Sequence, residues 1–367
     1  VKKKIKIQSG NLNTDLFALL NALPEHILFH HEHNSRHPLG IYNVTFRQVM
    51  TSIKDVIIAV ESLNDYDNLI SGKNEQLKIA ESSLIVEGDP IQRNALEALI
   101  LEIKKELSDI SSAGNAEVKT YTESIKGLID SIMSFIDGAY HIIKSFYPAS
   151  SVNKVIPFAD RWLETIEKKL INEFKEQIKE YREHVAPIAN KIKHNYAKIN
   201  LLRFKTEFGM INGYFIEGVD SQGNLGSDRQ IHKQFNNQDT AFSINRDLKF
   251  HLTNFYFICH HLKVVIEKII KTKYNIQVDI SGFVINDSKD YLEITKLVEG
   301  LPNLYFPDEA YKPVPVLVTN ENYIEVSLPS NGANLILYGG VEIKSSLSGD
   351  GVTKSYRLQY WEPQAHK

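Results

Sequence analysis

Apolar residues between Asp15 and about Leu201 recur every three or four positions, and this pattern restricts the first half of the chain to packed helices. Leu16, Leu19 and Leu20 begin a short helix that Pro24 ends, and Phe46, Val49, Ile53, Val56, Ile57 and Val60 form a longer stripe. In EGDPIQRNALEALILEIKKELSDI, Asp89 stands as an N-cap and Pro90 takes the first helical position, where a missing N–H costs no bond. Leu96, Leu99, Ile100 and Ile103 share one side of that helix, and Ser111-Ser112-Ala113-Gly114-Asn115 is expected to break it. Ile125, Leu128, Ile129, Ile132 and Ile136 carry a further helix to about Tyr147. After the turn at Pro148, Ser150 and Ser151, another begins near Phe158 and is expected to hold to about Phe204, with Pro187 as a kink or break.

The periodicity fails between Phe208 and Thr240, where glycines cluster and YFIEGVDSQGNLG reads as one short strand and a turn. INRDLKFHLTNFYFICHHLKVVIEKIIKTKY then returns as a helix, capped by Ser243 or Asn245 and apolar on more than one side, which makes it a central element. From Pro313 onward, VPVLVTN, NYIEVSL, NLILYGG, VEIKSSL and KSYRLQYW are short strand-like runs between turn residues. The expected fold is α+β and mainly α: a helical segment over 1–112, a bundle over 113–275 with a glycine-rich insertion at 208–241, and a C-terminal α+β or β subdomain over 276–367 with a small antiparallel sheet.

The 42 Lys and Arg against 45 Asp and Glu give a formal charge of −3, which excludes a protein whose whole surface is built for nucleic acid but leaves room for a local basic face. Cys259 is the only cysteine, so an intrachain disulfide framework, an iron–sulfur cluster and a thiolate-rich zinc site are excluded, and a reducing, cytoplasmic setting is expected. No run approaches the roughly 18 apolar residues of a membrane span, so no membrane partner is expected. The phosphate-cradling, dinucleotide, nucleophile-elbow and kinase motifs are missing, and no cofactor is expected.

Candidate chemistry begins at SINRDLKFHL, where Arg246, Asp247 and His251 give R-D-x-x-x-H. Metal-free RNA cleavage needs a base near the ribose 2′-OH and positive charge on the phosphate; histidine and arginine supply these, and a helix start adds free N–H groups. Five residues at 100° leave Arg246 and His251 about 140° apart around an ideal helix, so Arg246 has to reach round from the first turn. The motif resembles the signature of the HEPN family of helical-bundle proteins, over the helices from Asn115 to Tyr274. That resemblance implies a metal-independent endoribonuclease or RNA-binding protein of phage defence or toxin–antitoxin systems, with Arg246, Asp247 and His251 as the catalytic set. It also implies a homodimer that brings two motifs together, with an interface that includes Arg246, His251 and residues near Asn190 and His194.

In IANKIKHNYAKINLLRFK, Asn190 and His194 lie four apart on one face with Lys191 and Lys193 beside them, and from His184 to Lys205 there are basic residues but no acidic one. Asn190, Lys191, Lys193, His194 and Lys198 are therefore the candidate RNA-binding residues. His26, His30, His31, His33 and His37 offer metal-ligand types, but Pro38-Leu39-Gly40 points to a loop and no metal is assigned. His260 and His261 read as a core pair. The alternative from a different class is a non-catalytic interaction or scaffold protein whose helices and strands supply surfaces for protein partners.

Overall fold

A computed structural model describes residues 3–8, 15–194, 197–280, 289–319, 323–329, 342–345 and 355–361. In chain order its main elements are β1 (Lys3–Gln8), α1 (Asp15–Asn21), α2 (Pro38–Val86), α3 (Pro90–Lys144), α4 (Ala159–Glu164) and α5 (Lys168–His194). There follow β2 (Ile199–Thr206), β3 (Gly209–Val219), β4 (Leu225–Ser227), β5 (Phe242–Ser243), α6 (Ile244–Ile269), α7 (Lys289–Glu299), β6 (Val316–Thr319), β7 (Tyr323–Leu328) and β8 (Glu342–Ser345). The fold is α+β and mainly α. No helix among the described residues is long and apolar enough to cross a membrane.

Two compact units divide the chain: Val1–Ile53 with Lys126–Lys367, and Lys54–Ile125. The second is an antiparallel hairpin made from parts of α2 and α3. Its turn follows from the sequence: Asp89 caps α3 by accepting the Ile91 N–H at 2.8 Å, and Pro90 opens the helix. The expected break at residues 111–115 does not occur, because α3 runs unbroken from Pro90 to Lys144. Gly114 serves close packing instead, since a Cβ there would collide with the Tyr66 hydroxyl of α2. The boundary read at 112 falls inside this helix.

The larger unit is organised around α6, buried on nearly every side from Ile244 to Cys259. Phe255 of α6 packs against Phe46 of α2 and Phe135 of α3, with ring centroids 5.0 and 4.6 Å apart. Tyr256 reaches Thr295 of α7 at 2.8 Å. Burial pushes the Cys259 thiol up, as expected of a core residue.

α5 passes through Pro187 and ends at His194, ten residues before the expected Phe204, and the last part of that stretch, from Ile199, belongs to β2. β2 pairs with β3 on one side and β8 on the other and is buried nearly throughout. A strand covered on both faces is a continuous apolar run, which periodicity does not separate from a buried helix. The glycine-rich insertion is likewise more ordered than one short strand: β3 alone has 11 residues and is followed by β4 and β5. The C-terminal strands do not pair only with one another. β8 joins the sheet ordered β4-β3-β2-β8, while β7 lies between β6 and β1, Ile5 opposite Val326. NLILYGG lies outside the described residues.

Candidate functional site

The R-D-x-x-x-H residues sit where the start of α6 meets α5 and β3. Ser243 precedes the helix, and its N–H donates to both carboxylate oxygens of Glu309 at 3.2 Å. Arg246, half-buried, donates from Nη2 to the Pro313 carbonyl at 2.9 Å, with its guanidinium 5.8 Å from the Phe250 ring centre. One turn further on, His251 has different partners. Its Nδ1 is 2.8 Å from the Tyr181 hydroxyl of α5, and its Nε2 is 3.2 Å from Asp247 Oδ2. Asp247 also accepts the Tyr214 hydroxyl of β3 at 2.7 Å.

Tyr181, His251, Asp247 and Tyr214 thus form one polar chain joining α5, α6 and β3. The His251 side chain has 0% of its surface exposed and that of Asp247 4%. Such a group touches a substrate only if α5 and α6 part. Arg246 and His251 do not line a common open cleft, in keeping with their separation around the helix.

The electrostatics follow from this burial. Desolvation opposes ionisation of Asp247, but His251, His184 and the Tyr214 hydroxyl together outweigh it, and the carboxyl is held below its ordinary range. Desolvation pushes the Tyr181 phenol well up. His184, its ring 6.2 Å from that of His251, is lowered to about 4 by burial. His232, whose Nε2 accepts the Ile216 N–H at 2.9 Å, is lowered to about 3 for the same reason. Glu309, completely buried, is raised to about 7 by desolvation, partly offset by Arg246.

The candidate RNA-binding residues do not make one free basic face. Lys191 pairs with Asp228, and Lys193 pairs with Asp130 at 3.1 Å. Acids distant in sequence therefore supply the counter-charges that the stretch itself lacks. Asn190 and His194 are exposed near the end of α5, and Lys198 is exposed just before β2. Asn190 lines a cleft of about 480 Å³ together with Tyr140 of α3 and Lys175, Lys179 and Arg182 of α5. The Tyr140 hydroxyl is buried there without a hydrogen-bond partner among the described residues, and its phenol feels Arg182, Asp160 and Asp137.

The N-terminal histidines have separate duties. His33 Nε2 donates to the Tyr147 carbonyl at 2.8 Å, His37 lies 3.4 Å from Glu25, and the buried His30 ring lies tilted against His31, with centroids 3.8 Å apart, and edge-on to His37. Among the described residues no group of three or more His, Cys, Asp or Glu side chains is placed to hold a metal ion.

Sequence reasoning missed Tyr181, Tyr214, His184, His232 and Glu309. His184 alone carried a local signal, standing at i+3 from Tyr181 on an apolar helix face; the others meet only in three dimensions. In comparisons with known proteins, no family model, no curated protein and no solved structure matches the chain.

Proposed function

We propose that the chain is a non-catalytic interaction protein. One observation carries this reading: the histidine a nuclease would use is spent, together with Asp247, on holding α5 and β3 to α6. A general base has to come within hydrogen-bond reach of the proton it removes, and a fully covered imidazole does not. Labelled single-stranded RNA incubated with the purified chain and chelator should stay intact, and His251→Ala should change nothing except stability. Cleavage by the wild type that His251→Ala abolishes without unfolding would overturn the reading and support the HEPN-like nuclease.

RNA binding without cleavage is a second reading, favoured by Lys179 and Arg182 in the cleft beside Asn190, which Glu176 and Glu183 also line, and by the exposed His194 and Lys198 further along the chain. Lys179→Gln with Arg182→Gln should then weaken RNA binding and flatten its salt dependence. Absence of binding at low salt would remove this reading.

A further inference from the structure

Strand β4 pairs with β3 along one edge, and a distant stretch of the chain, Ser355–Trp361, lies along the other. The Arg357 N–H donates to the Leu225 carbonyl at 2.8 Å, the Leu225 N–H to the Ser355 carbonyl at 3.1 Å, and the Tyr360 N–H to the Asp239 carbonyl at 3.0 Å. These form isolated parallel bridges, not a continuous ladder. Gly226 of β4 permits the approach, since a Cβ there would lie 3.0 Å from the Arg357 Cβ and 3.0 Å from Asp239 Oδ2.

Side chains alternate along this segment: Tyr356, Leu358 and Trp361 are exposed, while Arg357 and Gln359 turn inward. Arg357 lies between two buried carboxylates, with Nε 3.2 Å from Asp220 Oδ2 and Nη1 2.6 Å from Asp239 Oδ2, and its Nη2 donates to the Ser227 carbonyl at 3.3 Å. Gln359, completely buried, donates from Nε2 to Ser227 Oγ at 3.1 Å. The Tyr360 hydroxyl donates to Asp308 and accepts the Ala241 N–H at 3.1 Å, and its ring centre is 5.3 Å from that of Phe204 and 5.4 Å from that of Phe306. Its backbone is left-handed, φ 55°, which a tyrosine keeps only while such contacts hold it. A strand that belongs to a core inserts apolar side chains, whereas this one inserts an arginine, a glutamine and a phenol and leaves its leucine and tryptophan outside.

We propose that this groove is a peptide-binding site, and that Ser355–Trp361 fills it in place of an extended segment of a partner protein, read as Arg-x-Gln-Tyr. Main-chain bonds to a sheet edge supply affinity whatever the sequence, and pockets for alternate side chains supply the choice, as when a peptide adds a strand from outside. The charges specify the occupant. Lys312 pairs with Asp308, and Arg229 reaches Asp239 at 3.2 Å, so of the groove's carboxylates one is left for an incoming cation, the place that Arg357 takes. Apolar burial, the chief stabiliser of core strands, enters mainly through Tyr360, so the segment leaves the groove more readily than β3 leaves the sheet. This inference names the partner class of the interaction-protein reading and rests on it. The two fail separately, because RNA cleavage strikes that reading while peptide binding tests only the groove.

The probe is the fluorescent peptide SYRLQYW, residues 355–361 with both ends blocked. The whole chain carrying Arg357→Ala with Tyr360→Ala, its circular dichroism matching wild type, should bind this peptide at least about 10-fold tighter than wild type does, because a groove that is mostly filled shows an affinity reduced by its open fraction. Arg357→Ala alone serves where the double variant loses its fold. The same peptide carrying Arg357→Ala should bind at least about 10-fold weaker, since it brings no cation to Asp220 and Asp239. In wild type, the amides of Leu225, Arg357 and Tyr360 should exchange hydrogen faster than the β3 amides bonded to β2. Absence of binding to the opened variant, equal affinity for wild type and variant, or equal affinity for the peptide without its arginine overturns the proposal. So do segment amides that exchange only together with those of β3.

Discussion

The hairpin Lys54–Ile125 and the layer built from α5, α6 and the five-stranded sheet treat polar groups in opposite ways. The hairpin keeps its ion pairs at the surface and buries few side chains in its outer half, chiefly Ala80, Ile100 and Ile103. The layer buries a carboxylate, an imidazole and two phenols against one another. Surface pairs remain hydrated with or without their partner and are worth little, whereas halving a buried pair leaves the remaining group desolvated and unpaired. The same residue types therefore carry very different weight in the two regions.

The sharpest test of that contrast is Asp247→Ala, which strips Tyr214 and His251 of a shared partner and should cost about 3–5 kcal/mol in urea unfolding, while Lys73→Ala on the hairpin should cost under about 1 kcal/mol. Equal losses would erase the distinction. Next in size, Ile103→Ala removes one of the few buried seam residues and should cost about 2–4 kcal/mol. That loss should stay local: hydrogen exchange should quicken in the hairpin and hardly change in α6.

The pH dependence belongs to the layer. His184 and His232 are neutral in the fold and lowered to about 4 and about 3, so the unfolded chain takes up their protons first. Their contribution is complete above about pH 6.5 and falls as pH drops below it, by roughly 1.4 kcal/mol per unit for each. Glu309, raised to about 7, has the opposite sign: its contribution is complete below its unfolded value near 4.5 and is lost as pH rises through 7. Between pH 7.5 and 5.5 the wild type should lose about 1 kcal/mol, and Glu309→Gln, which lacks the opposing group, about 3 kcal/mol. A parallel course for the two proteins would show that Glu309 titrates normally.

The smallest effect is at the hairpin turn. Asp89→Ala removes the cap on the Ile91 N–H and should cost about 1 kcal/mol, read as fraying of the start of α3 in hydrogen exchange.

Sequence alone determined what rests on neighbours a few residues apart. The stripes of α1, α2, α3 and α6, the Asp89 cap with Pro90, the central placement of the apolar α6 and the strand runs VPVLVTN, NYIEVSL and VEIKSSL are all written in local spacing, whereas KSYRLQYW makes only isolated parallel bridges to Leu225 and Asp239. Tertiary structure decided the rest. Ile199–Thr206 is a strand because β3 and β8 flank it, and Gly114 stays helical because Tyr66 packs over it. Lys191 and Lys193 are neutralised by Asp228 and Asp130, and His251 is closed off by Tyr181, seventy residues away. Each of these depends on which distant segment supplies the hydrogen-bond partner or the counter-charge. No local period records that choice, because it is made only when segments far apart in the chain bury their surfaces together.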